Sequence, residues 1–476
     1  MHKHIHDKVN TTRPLVMHID LNSCFATVEQ QARPRLRGRP VAVVNRRTEN
    51  TMIITASYEA KAMGVKLGMR LRDAKRLCPG LVGVESDPAK YRYVYHKLLD
   101  IMNDYSAHVT MKSIDEGVID FTQAPKAIVE RGLEVIGYEI KQRLRDEIGC
   151  AMRCNVGIGT NRFLAKMAAS LHKPDGLDAI TADNLREVYS TLKLTDLTGI
   201  AGRNEHRLNA VGIYTPLEFL DASVDVLHSM VFQSVNGEQW HQRLRGWEVD
   251  DFGAALPKRV GRQYVLDSFS LTFDEILNRL HHLCESVGYR MRKQGLSARG
   301  VYVGTRTFDM EGDRRRIPGL HETSPISESY PGESEGVLSE RGIAEATLSE
   351  EKRHLAGRGE SEAAGISRKS GTYWHATHVS QTPFFSNEAI YGLARQLFVN
   401  APPNIRDINV HVYLLEQGDR SQLSIFNDQI ARERAVVGAI DELNQRYGEH
   451  TIHAASTTNT GPFVKTKIPF GSTRYL

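Results

Sequence analysis

A nearly continuous apolar run from Leu15 to Asp20 (LVMHID) restricts the fold more than any other feature of this sequence. Such a run is typical of a strand that is buried on both faces of a sheet. Because the run ends in an acid, the strand is predicted to carry the Asp20 carboxylate to an edge of the sheet. Between Val109 and Phe121 (VTMKSIDEGVIDF), two strand-like runs predict a hairpin with Asp115 and Glu116 near its turn.

Asp20, Asp115 and Glu116 converge if their strands are neighbours in one sheet. Carboxylates that close repel one another strongly unless cations lie between them. Magnesium suits such a site because it prefers oxygen ligands and keeps positions free for water and phosphate. Two such ions about 4 Å apart promote in-line displacement at phosphorus, so the sequence predicts phosphoryl or nucleotidyl transfer. Taken alone, however, an Asp-Glu pair at a turn is more often a solvated turn.

The segments that follow predict further elements of an α+β chain. Apolar residues recur every three or four positions from Pro125 to Ile148, which predicts one helix with one buried face. Cys154 to Ile158 is predicted to be a strand and Asn161 to Leu171 a helix. From Leu194 to Leu220, two short amphipathic segments are separated by glycines, which is typical of a helix-hairpin-helix whose turn offers backbone N–H groups to a phosphate.

Beyond a linker near Asp250 to Pro257, strand and helix signals follow the order βαββαβ of a split βαβ domain. The predicted elements are the strand Val260 to Leu266, the helix Ile276 to Met291, the strands Ala298 to Phe308 and Tyr373 to Val379, the helix Ser386 to Val399 and the strand Ile408 to Leu415. Residues 311–370 interrupt this domain. They are rich in Gly, Ser and Glu and contain one aromatic residue, so they are predicted to be a disordered insertion.

Composition excludes several classes of protein. No apolar stretch approaches the roughly 20 residues of a membrane-spanning helix, and the polar N-terminus is not a secretory signal. The five cysteines are scattered and odd in number, which predicts reduced thiols. We therefore expect a cytoplasmic protein without a membrane partner. The net charge of +4 is small, but residues 311–370 are net acidic, so the folded part is more basic than the total suggests.

Four blocks of sequence, in order, resemble the Y-family translesion DNA polymerases, most closely the bacterial DNA polymerase IV branch. They are HIDLNSCFATVEQ (18–30), ITASYEAKAMGVKLGM (54–69), SIDEGVIDFT (113–122) and VGIGTNRFLAKMAASLHKPDG (156–176). With the helix-hairpin-helix they span about residues 14–246, and four ordered blocks are far more specific than any one motif. After residue 246 the similarity is looser.

The resemblance implies a right-hand polymerase of the α+β multidomain class, with a mixed α/β sheet in the palm, small fingers, a helical thumb that carries the helix-hairpin-helix, and a βαββαβ little finger. The implied boundaries are a disordered tail (1–13), the palm (14–30 and 90–178), the fingers (31–89), the thumb (179–247), a linker (248–259), the little finger (260–415, with the insertion 311–370) and a C-terminal segment (416–476) with a clamp-binding motif and a helix or tail. A monomer is expected.

The same resemblance implies the catalytic residues. Asp20, Asp115 and Glu116 would be the catalytic carboxylates and, with the Leu21 carbonyl, would bind two Mg²⁺ ions. Phe25, five residues after Asp20, aligns with the steric gate of the family, an aromatic ring under the incoming sugar with which a 2′-hydroxyl would collide. An ordinary core phenylalanine is the alternative for this position.

Further residues match positions that bind the incoming nucleotide. Tyr58, Lys61 and Lys173 would grip the triphosphate. Position 61 departs from the family, which commonly has Arg there, and Lys implies a less directional hold on the phosphates. The backbone amides of Gly199, Ile200 and Gly202 would hold the DNA backbone.

A short motif near the C-terminus implies a protein partner. Gln422, Leu423, Ser424, Ile425 and Phe426 (QLSIF) resemble the peptide by which bacterial polymerases dock onto the β sliding clamp. A five-residue pattern is easily matched by chance. Its position in a polymerase-like chain, after the last predicted strand, favours the clamp.

The sequence therefore predicts a template-directed, low-fidelity DNA polymerase that adds deoxynucleotides from their triphosphates to the 3′-end of a primer on template DNA. The alternative is a catalytically inactive, polymerase-like adaptor that binds DNA and the clamp, and the intact carboxylates argue against it. A nucleotide cyclase with a similar palm would need neither a steric gate nor a helix-hairpin-helix.

Overall fold

The structure is a computed structural model that describes residues 7–249, 256–266, 268, 270–307, 373–417, 428–448, 450–461 and 464. The chain divides into two compact units between Ala254 and Ala255, within the predicted linker. The predicted insertion 311–370 and the clamp motif 422–426 lie outside the described residues. Within the described ranges, no helix combines the length and the apolar character needed to cross a bilayer.

The first unit contains a five-stranded sheet, a three-stranded sheet and a set of helices. Its strands are β1 (Val16–Leu21), β2 (Val41–Val44), β3 (Ile53–Ala56), β4 (Val82–Glu85), β5 (Val109–Met111), β6 (Glu116–Asp120), β7 (Cys154–Gly159) and β8 (Leu177–Ala179). Its helices are α1 (Cys24–Ala32), α2 (Tyr58–Ala62), α3 (Leu71–Leu77), α4 (Pro88–Asn103), α5 (Lys126–Glu130), α6 (Leu133–Glu147), α7 (Arg162–Leu171), α8 (Leu185–Thr191), α9 (Gly202–Asn209), α10 (Pro216–Asp221), α11 (Val224–Val226) and α12 (Asn236–Leu244). Shorter helical turns are Pro34–Leu36, Leu194–Asp196 and Leu227–Phe232.

The five-stranded sheet occupies the predicted palm, and β1 lies at its centre. The strand order is β5-β6-β1-β7-β8, with β1 antiparallel to both β6 and β7. Met17 and Ile19 are fully buried in the large core on the side of α1, α4 and α6, whereas Val16 packs with Ala165 of α7. Because side chains alternate along a strand, Asp20 shares the α7 face of the sheet with Val16. The predicted burial on both faces is confirmed.

A glycine of β7 lets α7 lie very close to this sheet. Asn161 caps α7 by accepting a hydrogen bond from the Leu164 backbone N–H at 2.7 Å. A Cβ atom on Gly157 would lie 2.0 Å from the Ala165 carbonyl oxygen and 2.2 Å from the Ala169 nitrogen. Only glycine allows this approach, which brings side chains of α7 to the edge of the sheet where β1 ends.

The remaining layers of the first unit correspond to the predicted fingers and thumb. In the fingers, the sheet order is β3-β2-β4, and β2 (Val41–Val44) is fully buried. In the predicted thumb, helices α8 to α12 surround an aromatic core in which Phe219 and Trp240 have ring centroids 5.6 Å apart. The thumb is thus helical, as expected.

The second unit has the predicted βαββαβ order. Its elements are β9 (Arg259–Val265), α13 (Phe273–Arg292), β10 (Leu296–Arg306), β11 (Tyr373–Phe384), α14 (Asn387–Phe398), β12 (Asp407–Gln417), α15 (Asp428–Tyr447) and the 3₁₀ turn Ala455–Thr457. The sheet is antiparallel with the order β11-β10-β12-β9. The predicted C-terminal helix is α15, and it belongs to this unit because Arg292 of α13 donates two hydrogen bonds to Asp441 at 2.7 and 2.8 Å.

The single helix predicted from Pro125 to Ile148 is wrong. The structure has two helices there, α5 and α6, separated at Gly132. The φ angle of Gly132 is +87°, a backbone conformation that no α-helix can contain. The apolar spacing continues across the break, so periodicity alone does not reveal it.

The disordered tail predicted for residues 1–13 is also wrong for residues 7–13, while residues 1–6 lie outside the described residues. Asn10 is buried, its backbone N–H donates to the Arg245 carbonyl at 2.8 Å, and its side chain donates to the Gly246 carbonyl at 3.0 Å. Arg13 donates to the Val129 carbonyl at 2.9 Å. The polar composition of this segment suggested disorder. Its polar groups instead donate hydrogen bonds to backbone carbonyls of residues that are far away in the sequence.

We expect Gly157→Ala to destabilise the first unit by about 1–3 kcal/mol, because the added methyl group forces α7 away from β7. The matched control is Gly392→Ala in α14, where a Cβ atom would have no neighbour within 4 Å. That control should be neutral or stabilising by up to about 1 kcal/mol. Urea unfolding of the full chain measures both, and equal midpoints for the two variants would contradict the packing argument.

Candidate active site

The end of β1 and the start of β6 bring the predicted carboxylates together. Asp20, the penultimate residue of β1, is paired directly with Glu116, the first residue of β6. Asp115 precedes β6, and its carbonyl accepts a hydrogen bond from the Leu21 backbone N–H at 2.8 Å. The hairpin turn is thereby fixed against the last residue of β1, and three acidic residues share one edge of the palm sheet.

Glu116 is held ionised by two donors. His18 Nε2 lies 3.2 Å from one carboxylate oxygen, and Lys166 Nζ lies 2.7 and 3.0 Å from the two oxygens. Burial raises the pKa of Glu116, but the hydrogen bonds from His18 and Lys166 outweigh burial and lower that pKa to about 2. At neutral pH this side chain is therefore an anion.

Asp115 has the opposite electrostatic environment. Burial raises its pKa, and the charges of Asp20 and Glu116 raise it further. A hydrogen bond of 2.5 Å from the Ser113 hydroxyl works in the other direction. A cation among these carboxylates would relieve both their mutual repulsion and the cost of their burial.

Asp20 faces a lysine from the loop after α7. Lys173 Nζ lies 2.7 Å from the Asp20 carboxylate. Two residues later, the backbone N–H of Asp175 donates to the Asn22 side chain at 2.8 Å, and Asn22 in turn donates to Asn155 at 2.8 Å. These amides fix the loop, and with it Lys173, to the strand that carries Asp20.

Two of the residues predicted to grip a triphosphate, Tyr58 and Lys61, come from α2 and lie beside the same strand end. Lys61 Nζ donates to the Ser23 hydroxyl at 2.7 Å and lies 4.6 Å from the centroid of the Tyr58 ring. Burial and the nearby Lys173 ammonium lower the pKa of Lys61. Burial, and then the charge of Asp20, raise the pKa of Tyr58. Two ammonium groups thus lie close enough to repel each other, an arrangement that an anionic ligand would stabilise.

Phe25 lies in the first turn of α1 and is only 3% exposed. Its ring stacks on that of Tyr91, with centroids 4.2 Å apart and planes inclined by 12°. Its position five residues after Asp20 agrees with the steric gate, while its burial agrees with a core residue.

The turn before α9 differs from the predicted DNA-backbone site in one residue. The backbone N–H of Ile200 donates to the Leu197 carbonyl at 2.9 Å, so the assignment of this amide to DNA is wrong. Gly199 has a φ angle of +99°, and Gly202 begins α9, whose N-cap residue Ala201 gives no side-chain cap. The prediction therefore narrows to the amides of Gly199 and Gly202.

Comparisons with known proteins agree with this geometry. Residues 19–170 match the impB/mucB/samB family, and residues 257–336 match the C-terminal domain of that family. DNA polymerase IV of Moorella thermoacetica is 34% identical over 318 residues, which cover 64% of this chain and 76% of that protein. DNA polymerase IV of Bacillus velezensis is 31% identical over 299 residues, which cover 62% of this chain and 70% of that protein.

The chain belongs to the Y-family of DNA polymerases. Among solved structures, a Y-family polymerase chimera of Dbh and Dpo4 matches 84% of this chain and 98% of the chimera, at 19% identity and a TM-score of 0.59. An insertion ternary complex of Dbh DNA polymerase matches with the same coverage and a TM-score of 0.51. These likenesses show the fold, which is the predicted multidomain polymerase fold.

Membership of the Y-family settles the predicted activity. The chain is a DNA-directed DNA polymerase of the translesion type. The alternative of a catalytically inactive adaptor is not supported, since all three acidic residues are present at the strand ends.

Sequence reasoning missed two residues that shape the site of this Y-family polymerase. His18 and Lys166 both contact Glu116, and His18, Asp20 and Glu116 form a group whose ligand atoms lie within 4.8 Å of one another. His18 precedes Asp20 by two residues and shares its face of β1, so the alternation of the strand was the available signal. For Lys166, no local signal exists, because its partner lies 50 residues earlier in the chain.

Proposed function

We propose that Asp20, Asp115 and Glu116, with the Leu21 carbonyl, hold two Mg²⁺ ions and that the polymerase transfers a nucleotide to a primer 3′-end at this site. Y-family polymerases depend on metal ions. The donor set supports hard divalent cations, since it consists of carboxylate and carbonyl oxygens. The ammonium groups at 2.7 Å from Asp20 and Glu116 support the same view, because each carboxylate already attracts a positive charge.

When bound, the two ions would activate the primer 3′-oxygen and stabilise the departing pyrophosphate. The residues of this chain orient the reactants. Lys61 and Lys173 bind the triphosphate as point charges, and Tyr58 supplies a hydroxyl donor beside them. Lys173 exchanges its ion pair with Asp20 for a contact to phosphate, so nucleotide binding frees the Asp20 carboxylate.

DNA binding by this polymerase is supported by a cavity of about 320 Å³ in the first unit, beside α7 and the turn at Gly199. Its lining includes the basic residues Lys112, Arg162, Lys166 and Arg243. Such a surface attracts the phosphates of a DNA strand. The amides of Gly199 and Gly202 extend the same surface by offering backbone donors. The observation that carries the whole proposal is the direct pairing of Asp20 with Glu116 across β1 and β6.

Asp115→Asn and Glu116→Gln test the proposal with near-isosteric changes. Each variant should lower nucleotide incorporation by about 10³-fold or more, because the charges that bind the metals and stabilise the transition state are lost. Binding of primer-template DNA should change little. Primer extension with purified protein measures incorporation, with fluorescence anisotropy for DNA binding and Glu134→Gln, an exposed carboxylate of α6, as the control. Extension near the wild-type rate in either variant would refute the assignment.

Phe25→Ala separates the steric gate from a core residue. If the ring lies under the sugar, its removal should raise ribonucleotide incorporation relative to deoxynucleotide incorporation by one to several orders of magnitude, about 1.4 kcal/mol for each tenfold. The ratio of kcat/KM for dGTP and GTP is the measurement. A core residue would instead lower the melting temperature and leave this ratio unchanged.

The clamp partner remains a proposal that the motif Gln422 to Phe426 supports. Leu423→Ala with Phe426→Ala should leave single-nucleotide incorporation unchanged and abolish stimulation of long extension by a β clamp, because tethering raises the effective concentration of polymerase at the primer. Val436→Ala with Leu443→Ala, two exposed positions of α15, is the control. Full stimulation of the motif variant would show that QLSIF is a chance match.

The proposal also includes a monomeric, cytoplasmic enzyme whose substrates are primer-template DNA and deoxynucleoside triphosphates. The names of the curated relatives support the substrates, since those proteins are DNA polymerases of bacteria. The same comparison supports the proposed location, because chromosomal DNA in bacteria lies in the cytoplasm.

A further inference from the structure

Glu29 is a fully buried carboxylate one helical turn after Phe25 on α1. Its exposed fraction is 0%, and it has three partners. The Tyr91 hydroxyl donates to one oxygen at 3.0 Å, while Arg33 Nη1 and Lys90 Nζ lie 2.9 and 3.3 Å from the other. Burying a charge costs free energy unless the charge is paired. The three partners therefore indicate that the Glu29 side chain makes specific interactions and does not merely fill space.

Tyr91 connects this carboxylate to the predicted gate. Its ring stacks on Phe25, and its hydroxyl ends on Glu29, so the ring is held both at its face and at its tip. Burial raises the pKa of Tyr91 well above its usual value, which keeps the hydroxyl a donor at all physiological pH values. Since Phe25 and Glu29 are four residues apart, one face of α1 carries both the gate ring and the anchor of the ring behind it.

We propose that Glu29 is a positioning residue for sugar selection, acting through Tyr91 on the height and tilt of the Phe25 ring. The inference rests on the proposed role of Phe25 as the steric gate. An aromatic ring can exclude a 2′-hydroxyl only if the ring stays in place. A shift smaller than the size of one oxygen atom would already make room for the hydroxyl, so a mobile ring cannot discriminate between ribose and deoxyribose. Tyr91, tied to Glu29, prevents Phe25 from retreating into the core.

Two variants loosen this support while keeping side-chain volume. Glu29→Gln removes the charge that Arg33 and Lys90 pair with, and Tyr91→Phe removes only the hydroxyl. The matched control is Tyr95→Phe, a buried tyrosine one turn further along α4. We expect both test variants to lower the dGTP to GTP ratio of kcat/KM roughly tenfold, within the hundredfold that a 1 Å misplacement at an active site can cost. The control should keep the wild-type ratio.

The Phe25→Ala background distinguishes positioning from a merely structural role. If Glu29 acts through Phe25, adding Glu29→Gln to Phe25→Ala should not lower the ratio further. Should Glu29→Gln fail to fold, Tyr91→Phe supplies the same measurement, because its packing is unchanged. An unchanged ratio in both single variants, with a lowered ratio in Phe25→Ala, overturns the role of Glu29 alone. An unchanged ratio in Phe25→Ala overturns the gate and this inference together.

Discussion

The concentration of negative charge where β1 meets β6 is the constraint on which the rest of the site depends. Direct pairing of Asp20 with Glu116 forces two carboxylates together, and Asp115 adds a third within the same buried turn. Repulsion of this kind would drive the strands apart if nothing compensated it. The ammonium group of Lys166 on α7 lies 2.7 Å from Glu116, and that of Lys173 in the following loop lies 2.7 Å from Asp20. Helix α7 and the loop after it therefore stabilise the acidic edge of the palm sheet.

A lysine side chain is flexible, so its ammonium group is positioned accurately only if the backbone that carries it is held in place. The loop with Lys173 is held by Asp175, whose carboxylate pairs with Arg145 at 2.6 Å and Lys141 at 3.3 Å on α6. Its backbone N–H binds Asn22. Helix α6 thereby helps to fix the position of Lys173, the lysine proposed to bind phosphate, and Asn22 holds the same loop.

The sequence could predict those parts of the site that depend on residues close together in the chain. Buried strands that end in acids, a hairpin with two acids at its turn, and the βαββαβ order all follow from runs and spacings of neighbouring residues. The break at Gly132 could not be predicted, because glycine within an apolar period is compatible with a helix until its φ angle is known. Three further features could not be predicted because each depends on a partner that the local sequence does not reveal. Asn10 is ordered, and the Ile200 amide is occupied, because each donates to a backbone carbonyl. Lys166 pairs with Glu116 through a tertiary contact.

Position 61 has Lys where the family commonly has Arg, and the residue that Lys61 contacts offers a physical explanation for how lysine can serve there. Ser23 lies at a φ angle of +46°, a left-handed conformation that costs a non-glycine residue of order 1 kcal/mol, and it joins β1 to α1. In that conformation its hydroxyl accepts a hydrogen bond from Lys61 and also contacts Tyr58. Lysine cannot form the two parallel bonds of an arginine fork, so its direction must come from a partner. The strained turn at Ser23 supplies that direction, and the same turn starts the helix that carries Phe25 and Glu29. The proposed phosphate binding and the proposed sugar selection therefore share one backbone element.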